Sequence, residues 1–484
     1  MVYTSQPKIK KTHRSPKIMI QTTLLSHACL LFQSKETNLL TDPVFFDPHW
    51  EDINVLCPKR KLEIEKIPRI DILNISHRHQ DHFDIRTLAY IKDSPLLAPD
   101  AVVLAPNDDI LLEVLTALEF DNVKVVGDFE PLEIRDLKLA PTPSLNQDGW
   151  PEHGLAVSDG EVTIWNQVDT IVSPDIIQYL HKLCGRIDFA HLRFMPLLEG
   201  NFAHHKSLNL PFEEYSSFLK VANAVAPKFA VPGSAAFRYS DEYGFLNQYS
   251  FPTTPEGFLK DLKDFCPEIE SSTFFSGDVA KVAKEGVEII RQGSDFVSVE
   301  TDDSLMVEFK PVMEVKPIRT LTGSADQKEE EKKLVKDFVE NQLLSMLQKN
   351  EVASVWAHWK ALYQLEVFED EKEGDIWSID FSSPEPKVVQ GRLERINIYE
   401  GIAYSELARL IQKKTSWDFV GASAQYRTFN NIYRVEQGKF EYFPSEKKFP
   451  HPLTEAFPSD KDMDREKFMK DVRKWKGRAK TAVN

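Results

Sequence analysis

Cysteine is scarce in this sequence and does not cluster. The 484 residues contain four cysteines, all far apart: Cys29, Cys57, Cys184 and Cys266. No CxxC pair, zinc-ribbon spacing or iron–sulfur spacing occurs. We therefore expect no disulfide scaffold, and the low cysteine content fits a reducing cytoplasm.

Positive charge is in deficit, and long apolar runs are missing. The chain has 59 Lys and Arg against 75 Asp and Glu, a formal net charge of −16. Nucleic acids and anionic membrane surfaces attract concentrated positive charge, so we expect neither as the main partner. No stretch approaches the roughly 20 apolar residues of a transmembrane helix. We expect a cytoplasmic protein without a transmembrane segment.

Several common functional motifs are also missing. The sequence has no GxGxxG or Walker loop, so no nucleotide cradle is indicated. It has no GxSxG element, which argues against a serine hydrolase of the α/β type.

Apolar strands alternate with amphipathic helices between residues 18 and 315, which predicts an α/β layered core. The charged segment LTGSADQKEEEKKLVKDF marks a boundary near 315–330. Residues 330–455 mix helices and strands, which indicates a smaller α+β module without a chemical motif. Residues 456–484 contain MDREKFMKDVRKWKGRAK, a basic tail helix that we expect to be solvated, with docking to a partner or a membrane surface as the alternative.

The strongest chemical signal is a cluster of histidines directly after an apolar strand. The segment His77-Arg78-His79-Gln80-Asp81-His82 places three imidazoles and a carboxylate within six residues. On a loop leaving a strand, His77 and His79 project to the same side and can converge on one metal ion. Asp81 and His82 are offset toward a second ion. The alternative, a polar loop of ordinary histidines, requires this clustering to be accidental among 13 histidines.

This HxHxDH pattern is the signature of the metallo-β-lactamase superfamily, and the surrounding sequence resembles that family too. LLSHACLLF followed by NLLTDPVFF is similar to the opening hairpin of the family, with Asp42 in its Thr-Asp-Pro position. The resemblance implies an α/β fold, a four-layer αββα sandwich with metals at one edge, for the domain at 18–315.

The resemblance also implies a set of metal ligands. His77 and His79 match the pair of the first metal site, and Asp81 and His82 match the pair of the second. Asp169, in WNQVDT, matches the acid that bridges the two metals. Asp81 is in addition the expected catalytic residue, because it can orient a metal-bound water.

A third histidine of the first site is expected in the segment WPEHGLAV. His153 lies where this ligand often occurs in the family, and the adjacent Glu152 is an alternative. The family commonly supplies one more histidine after a late strand, where this sequence has Gly233 and Ser234.

The missing late histidine has two candidate substitutes. His204 or His205, in EGNFAHHKS, can fill the second site, and a solvated turn is the alternative interpretation of this pair. His27 and His49 can approach the site through the opening loops, where we expect them to support the ligands or to be purely structural.

A narrower resemblance covers more of the chain. DPVFFDPHW, ISHRHQDHFD, HGLAVSDGEVTIWNQVD and VAPKFAVPGSAAF resemble the metallo-β-lactamase-like part of CMP-N-acetylneuraminate hydroxylase and its bacterial relatives. Those hydroxylases typically also carry a Rieske domain with a [2Fe–2S] cluster. No CxH…CxxH pair occurs here, so an oxygenase activity needs an external reductase or electron donor.

Two activities are therefore compatible with the motif, each with one or two divalent metal ions and a small-molecule substrate. The first is a non-haem iron monooxygenase, in which iron activates O₂. The second is a hydrolase of an ester, amide or phosphodiester, in which zinc or manganese lowers the pKa of a bound water toward ~7. A metal-binding relative without activity is a third possibility. We favour the oxygenase, and hence iron, because the hydroxylase resemblance covers most of the chain.

Overall fold

The computed structural model describes most of the chain. The described residues are 20–145, 150–196, 199–204, 206, 208–234, 236–248, 253–300, 316–370, 374–443, 449–458 and 461–478. Within these ranges, no helix combines the length and the apolar character that crossing a membrane would require.

Strands and helices alternate through the first 300 residues. The strands are β1 Ile20–Ser26, β2 Cys29–Gln33, β3 Asn38–Thr41, β4 Asn54–Leu56, β5 Arg60–Leu62, β6 Ile70–Asn74, β7 Leu97–Ala105, β8 Val123–Val125, β9 Leu132–Ile134, β10 Leu137–Pro143, β11 His153–Ser158, β12 Thr163–Asn166, β13 Phe189–Arg193, β14 Phe229–Gly233, β15 Phe237–Tyr239, β16 Glu270–Ser271, β17 Val279–Ala283, β18 Gly286–Ile290 and β19 Val297–Val299. The helices are α1 Ile85–Asp93, α2 Asp109–Ala117, α3 Pro174–Cys184, α4 Glu199–Ala203, α5 Phe212–Val225 and α6 Pro255–Phe265, and 3₁₀ turns occur at Ile64–Lys66 and Asp241–Gln248.

Two large sheets face each other in this part of the molecule. Among the described residues, the first sheet has the order β18-β17-β1-β2-β3-β6-β7-β8 and the second has the order β16-β14-β13-β12-β11-β10-β9. Alternate side chains of both sheets form one shared apolar layer, which includes Leu30, Ile72, Leu155 and Ile164. This layer forms because each strand points every second residue inward.

Helices cover the outer face of each sheet. Helices α1 and α2 pack Leu88 and Leu111 onto the first sheet. Helices α3, α5 and α6 pack Leu180, Ala222 and Phe258 onto the second. The layer order is therefore helix, sheet, sheet, helix, and the four-layer αββα sandwich expected from the sequence is confirmed.

The opening apolar run forms two strands. The structure divides residues 20–33 into β1 and β2, joined by a turn at His27 and Ala28. Ser26 pairs with Cys29 across this turn, and His27 has a φ of 39°. The polar Ser-His pair inside the run marks the turn, which places the His27 side chain at the sheet edge.

The residues after 315 form a second, α+β unit with its own core. Its helices are α7 Ala325–Phe338, α8 Leu344–Lys349, α9 Ala353–His358, α10 Tyr404–Ile411, α11 Trp417–Ala422 and α12 Pro452–Ala456, with a π turn at Val339–Leu343. Its strands are β20 Leu362–Phe368, β21 Asp375–Asp380, β22 Val388–Gln390, β23 Ile398–Ala403, β24 Tyr426–Asn430, β25 Tyr433–Glu436 and β26 Lys439–Tyr442. In the described part, five of these strands form the sheet β22-β21-β20-β23-β24. We propose that the two units are the domains expected at 18–315 and 330–455, with α7 beginning a few residues before the second.

The tail forms a helix, α13 Lys461–Trp475, but this helix is not solvated on all sides. Phe468 and Val472 are buried in the apolar cluster of α1 and α2, and Trp475 packs against it. The expectation of a solvated helix was wrong because apolar residues at helical spacing give α13 one apolar face, which the N-terminal sandwich covers. Arg473 and Lys474 lie on the remaining, exposed surface.

Candidate metal centre

The His-rich loop leaves the carboxyl end of β6, beside the end of its parallel neighbour β3. Asp42, directly after β3, is buried and binds this loop at three points. Its carboxylate accepts hydrogen bonds from Ser76 N–H (2.8 Å) and Ser76 Oγ–H (2.7 Å), and lies 3.0 Å from His82 Nδ1. The Asp of the Thr-Asp-Pro motif therefore holds the loop in its conformation.

Five of the six predicted ligands come together at this edge of the sandwich. The Nε2 atom of His77 lies 2.9 Å from Nδ1 of His79. The Nε2 atom of His82 lies 3.4 Å from Asp169 Oδ2 and 3.7 Å from Asp81 Oδ2. Asp169 reaches the cluster because it follows β12, whose carboxyl end lies at the same edge.

These residues contain two overlapping groups with the spacing of metal ligands. The ligand atoms of His77, His82 and Asp169 lie within 4.8 Å of one another, and so do those of His27, Asp81 and His82. Imidazole nitrogens and carboxylate oxygens in a buried setting are a donor set that zinc, iron and manganese accept. The residues present therefore fit a divalent metal.

Hydrogen bonds orient two of the imidazoles toward the cluster. His82 donates its Nδ1–H to Asp42, so Nε2 is the nitrogen that faces the cluster. His77 places Nδ1 2.9 Å from Ser76 Oγ, whose own proton goes to Asp42. His77 Nδ1–H is therefore the donor, and its Nε2 presents a lone pair to the cluster.

The electrostatics of the cluster favour a cation. Burial lowers the pKa of His77 well below its usual range, so this imidazole is neutral. Burial lowers the pKa of His82 too, but the Asp81 and Asp169 carboxylates outweigh it and raise this pKa well above its usual range. Burial raises the pKa of Asp169, and His82 outweighs it, so Asp169 remains ionised. A metal ion bound here would displace the proton of His82.

His27 lies closer to the cluster than the sequence suggests. Its Nε2 atom is 3.3 Å from Asp81 Oδ2 and 3.2 Å from His82 Nε2. The backbone N–H of Ala236 donates to its Nδ1 atom at 3.2 Å. Nδ1 therefore accepts a hydrogen bond, and Nε2 carries a proton that it donates toward Asp81. The signal for this position was the polar Ser-His turn between two apolar strands.

His79 and His153 belong to neither of these two groups, and His153 also lies apart from the other predicted ligands. Its Nε2 atom lies 3.0 Å from Asn74 Oδ1, in the interior between the sheets. The neighbouring Glu152 lies close enough to Asp169 and His82 for their charges to act on its carboxyl group. Its buried Oε1 atom has no hydrogen-bond partner, and burial raises its pKa to about 7. Successive residues of an extended chain point to opposite sides, so only one of the two can face the metal centre.

The imidazole of His191 lies where a side chain at position 233, the place of the missing late histidine, would begin. Gly233 ends β14, and a Cβ atom there would lie 2.3 Å from the imidazole of His191. His204 lies elsewhere, with its ring 6.3 Å from those of Tyr426 and His451 in the second unit. His205 lies outside the described residues. His49, the other opening-loop histidine, is 3.3 Å from Asp47.

Aromatic rings that the sequence did not single out surround His79. The ring of Trp50 stacks on it at 5.5 Å, and the ring of Trp150 meets it edge-on at 4.7 Å. The guanidinium of Arg78 lies over Trp150, 4.9 Å from the ring centre. These rings limit access of water to His79 and fix its orientation.

A comparison with protein families agrees with this geometry. Residues 21–170, which include the His-rich loop and Asp169, match the family model described as the beta-lactamase superfamily domain. The N-terminal unit has the metallo-β-lactamase fold. The resemblance inferred from the HxHxDH motif is thereby confirmed.

Three curated proteins show sequence similarity to this chain. A Mycolicibacterium smegmatis protein that carries the name Rieske 2Fe-2S iron-sulfur protein is 31% identical over 184 residues, 36% of this chain and 34% of its own. The mitochondrial N-acyl-phosphatidylethanolamine-hydrolyzing phospholipase D of Saccharomyces cerevisiae is 28% identical over 30% of this chain and 31% of its own. The 4-amino-L-phenylalanyl-[CmlP-peptidyl-carrier-protein] 3-hydroxylase of Streptomyces venezuelae is 27% identical over 34% of this chain and 32% of its own. The chain therefore spans about a third of the length of each relative, and the relatives include both a hydrolase and a hydroxylase.

Proposed function

We propose that this chain is a non-haem iron oxygenase that hydroxylates a small organic substrate with electrons from an external donor. The observation that carries the proposal is the group of His77, His82 and Asp169, whose ligand atoms lie within 4.8 Å of one another. This group has two imidazoles and one carboxylate. That combination is typical of iron enzymes that activate O₂, because it leaves coordination positions open.

We propose the following ligands. His77, His79 and Glu152 would hold one ion, and Asp81 and His82 would hold a second. Asp169, whose Oδ2 lies 3.4 Å from His82 Nε2, would be a further carboxylate ligand. We propose iron for these positions, and manganese or zinc as the alternatives. Glu152 replaces His153 in the set that the sequence suggested.

Bound iron would supply the activation of O₂. One oxygen atom would enter the substrate, and the other, together with two electrons and two protons, would form water. The protein residues around the site orient the metal ligands and hold a proton near them. Asp42 fixes the rings of His77 and His82, and His27 holds a proton on Nε2 next to Asp81. We propose that the electrons come from a partner, such as an iron–sulfur or flavin protein. The relative that carries the Rieske name and the Streptomyces hydroxylase support this interpretation. A cytoplasmic location stays a prediction.

Hydrolysis is the second candidate, and the yeast phospholipase D favours it. In that case Asp81 would accept a hydrogen bond from an attacking water and orient it. Burial raises the pKa of Asp81, but His82 and His27 outweigh burial and lower this pKa, so the carboxylate is ionised. The buried carboxylates and imidazoles fit zinc as well as iron, so the donor set alone does not separate the two activities.

Metal analysis combined with two activity assays separates the candidates. The full chain is purified, its iron, zinc and manganese contents are measured, and O₂ consumption is followed with a chemical reductant. Bound iron with O₂ uptake above that of free iron supports the oxygenase. Bound zinc with turnover of simple esters or phosphodiesters and no O₂ uptake contradicts it. A metal-loaded chain without either activity would indicate a non-catalytic relative.

A further inference from the structure

A cavity adjoins the metal centre on the far side of His27. It lies at the carboxyl ends of β13 and β14, and the space measures about 360 Å³ including its part open to solvent. Most of its walls are apolar. The lining residues include Leu24, His27, His191, Phe194, Ser234 and Phe274. A cavity with apolar walls and few polar groups next to a catalytic centre is the usual form of a small-molecule site.

Two polar atoms in this cavity have no hydrogen-bond partner within the protein. They are Nε2 of His191 and Oγ of Ser234, and both are buried. The His191 side chain is nearly inaccessible, with 1% of its surface exposed. Buried polar groups are almost always paired, so an unpaired one in a cavity wall indicates a partner supplied by a ligand.

The orientation of His191 defines the kind of partner. Its Nδ1 atom lies 2.9 Å from Asn166 Oδ1, so Nδ1–H is the donor and Nε2 is an acceptor. Burial lowers the pKa of His191 to about 3, which keeps the ring neutral. Gly233 leaves the space that the ring fills, since a side chain there would overlap with it. His191 is thus held as a neutral acceptor.

The cavity also lacks charge. None of its described lining residues is Lys, Arg, Asp or Glu, so nothing in the walls offsets the desolvation of an ionic group. We infer that this cavity binds a neutral, apolar group that donates one O–H or N–H hydrogen bond to His191 Nε2. The assignment of this cavity as a ligand site does not depend on the proposed function. Its assignment as a substrate site rests on that function.

Three small probes of similar shape test the inference. Benzyl alcohol is apolar and donates a hydrogen bond, toluene lacks the donor, and benzoate is an anion. Their dissociation constants for the full chain, as purified, are measured by isothermal titration calorimetry. We expect benzyl alcohol to bind about tenfold more tightly than toluene, the value of one hydrogen bond, and benzoate not to bind. Equal binding of all three, tighter binding of benzoate, or no binding of benzyl alcohol would overturn the inference.

Variants locate the bound probe. His191→Phe keeps a ring in place but removes the acceptor, and should reduce benzyl alcohol binding to the level of toluene. His181→Phe, the same change on α3 away from the cavity, should leave binding unchanged. If His191→Phe does not fold, the ratio of the dissociation constants of benzyl alcohol and toluene for the wild-type chain still tests the inference. Because no turnover is needed, failure of the oxygenase assay with a positive probe result would reject the proposed activity and leave the cavity assignment standing.

Discussion

Arg78, inside the metal loop, forms an ion pair with Asp464 in the C-terminal helix, with 3.2 Å between Nη2 and Oδ2. The Arg78 side chain is 7% exposed, so this pair lies largely away from solvent. Next to it, Phe468 of the same helix contacts Phe83, which directly follows the loop, with 5.6 Å between ring centres. The last helix of the chain therefore supports the loop that carries His77, His79 and Asp81.

The first prediction concerns this support. Asp464→Asn should lower metal affinity by about tenfold without removing a ligand, because residues that orient metal ligands commonly have effects of this size. Competition with a chromogenic chelator measures the affinity. Asp462→Asn, on the same helix and 83% exposed, is the matched control. Equal metal affinity in both variants and the wild type would show that the loop does not depend on the tail.

The second prediction separates Glu152 from His153. Glu152→Gln keeps the size of the side chain but removes the carboxylate charge, and should decrease bound iron to about half or less of the wild-type content, since a carboxylate is a far better iron ligand than an amide. His153→Gln should keep the metal, because its ring already pairs with Asn74. Elemental analysis of both purified variants measures this. Loss of iron from His153→Gln alone would assign the ligand to His153 instead.

The third prediction is a pH dependence. The raised pKa of His82 means that the metal-free cluster holds a proton on this ring, and that binding releases it. Metal affinity should therefore rise by about tenfold per pH unit below the pKa of His82 and become flat above it. For the metal-free protein the sign is opposite: the stability that the proton provides is present below the ordinary histidine pKa and is lost as the pH rises through the raised one.

Calorimetry in buffers of different ionisation enthalpy counts these protons. About one proton released per metal ion bound at neutral pH is the expected result. Binding without proton release would mean that His82 is neutral before the metal arrives, in disagreement with the effect ascribed to Asp81 and Asp169.

The fourth prediction concerns the packing of Gly233 against His191. Gly233→Ala places a Cβ atom where the ring lies, and the ring cannot move freely because Asn166 holds it. The variant should lose about 1–3 kcal/mol of unfolding free energy, the usual cost of overpacking. Urea unfolding of the full chain measures the change. Gly200→Ala, with nothing within 4 Å of the added atom, is the control; equal stability of the two variants would mean that the ring has room to shift.

The sequence predicted much of the centre because its residues are close together along the chain. His77, His79, Asp81 and His82 lie within one loop, so their convergence follows from local geometry, and Asp169 follows a recognisable strand. The four-layer sandwich was likewise predictable from the alternation of strands and helices together with the family signature.

The remaining features depend on details that the sequence does not contain. Whether Glu152 or His153 faces the metals depends on where β11 begins, and a shift of one residue exchanges the two side chains. The Arg78–Asp464 pair joins residues 386 positions apart, and no local pattern signals such a contact. The packing of α13 was missed because its many charges obscured the apolar stripe around Phe468 and Val472.

Oxidation of the iron-loaded chain by O₂ tests the central claim most directly. The full chain is loaded anaerobically with Fe(II), mixed with O₂, and followed by optical and Mössbauer spectroscopy beside Glu152→Gln. We predict rapid oxidation of protein-bound Fe(II) in the wild type and oxidation no faster than that of free iron in the variant. Fe(II) that stays reduced in the wild type, in a chain that hydrolyses esters or phosphodiesters when loaded with zinc, would contradict the account.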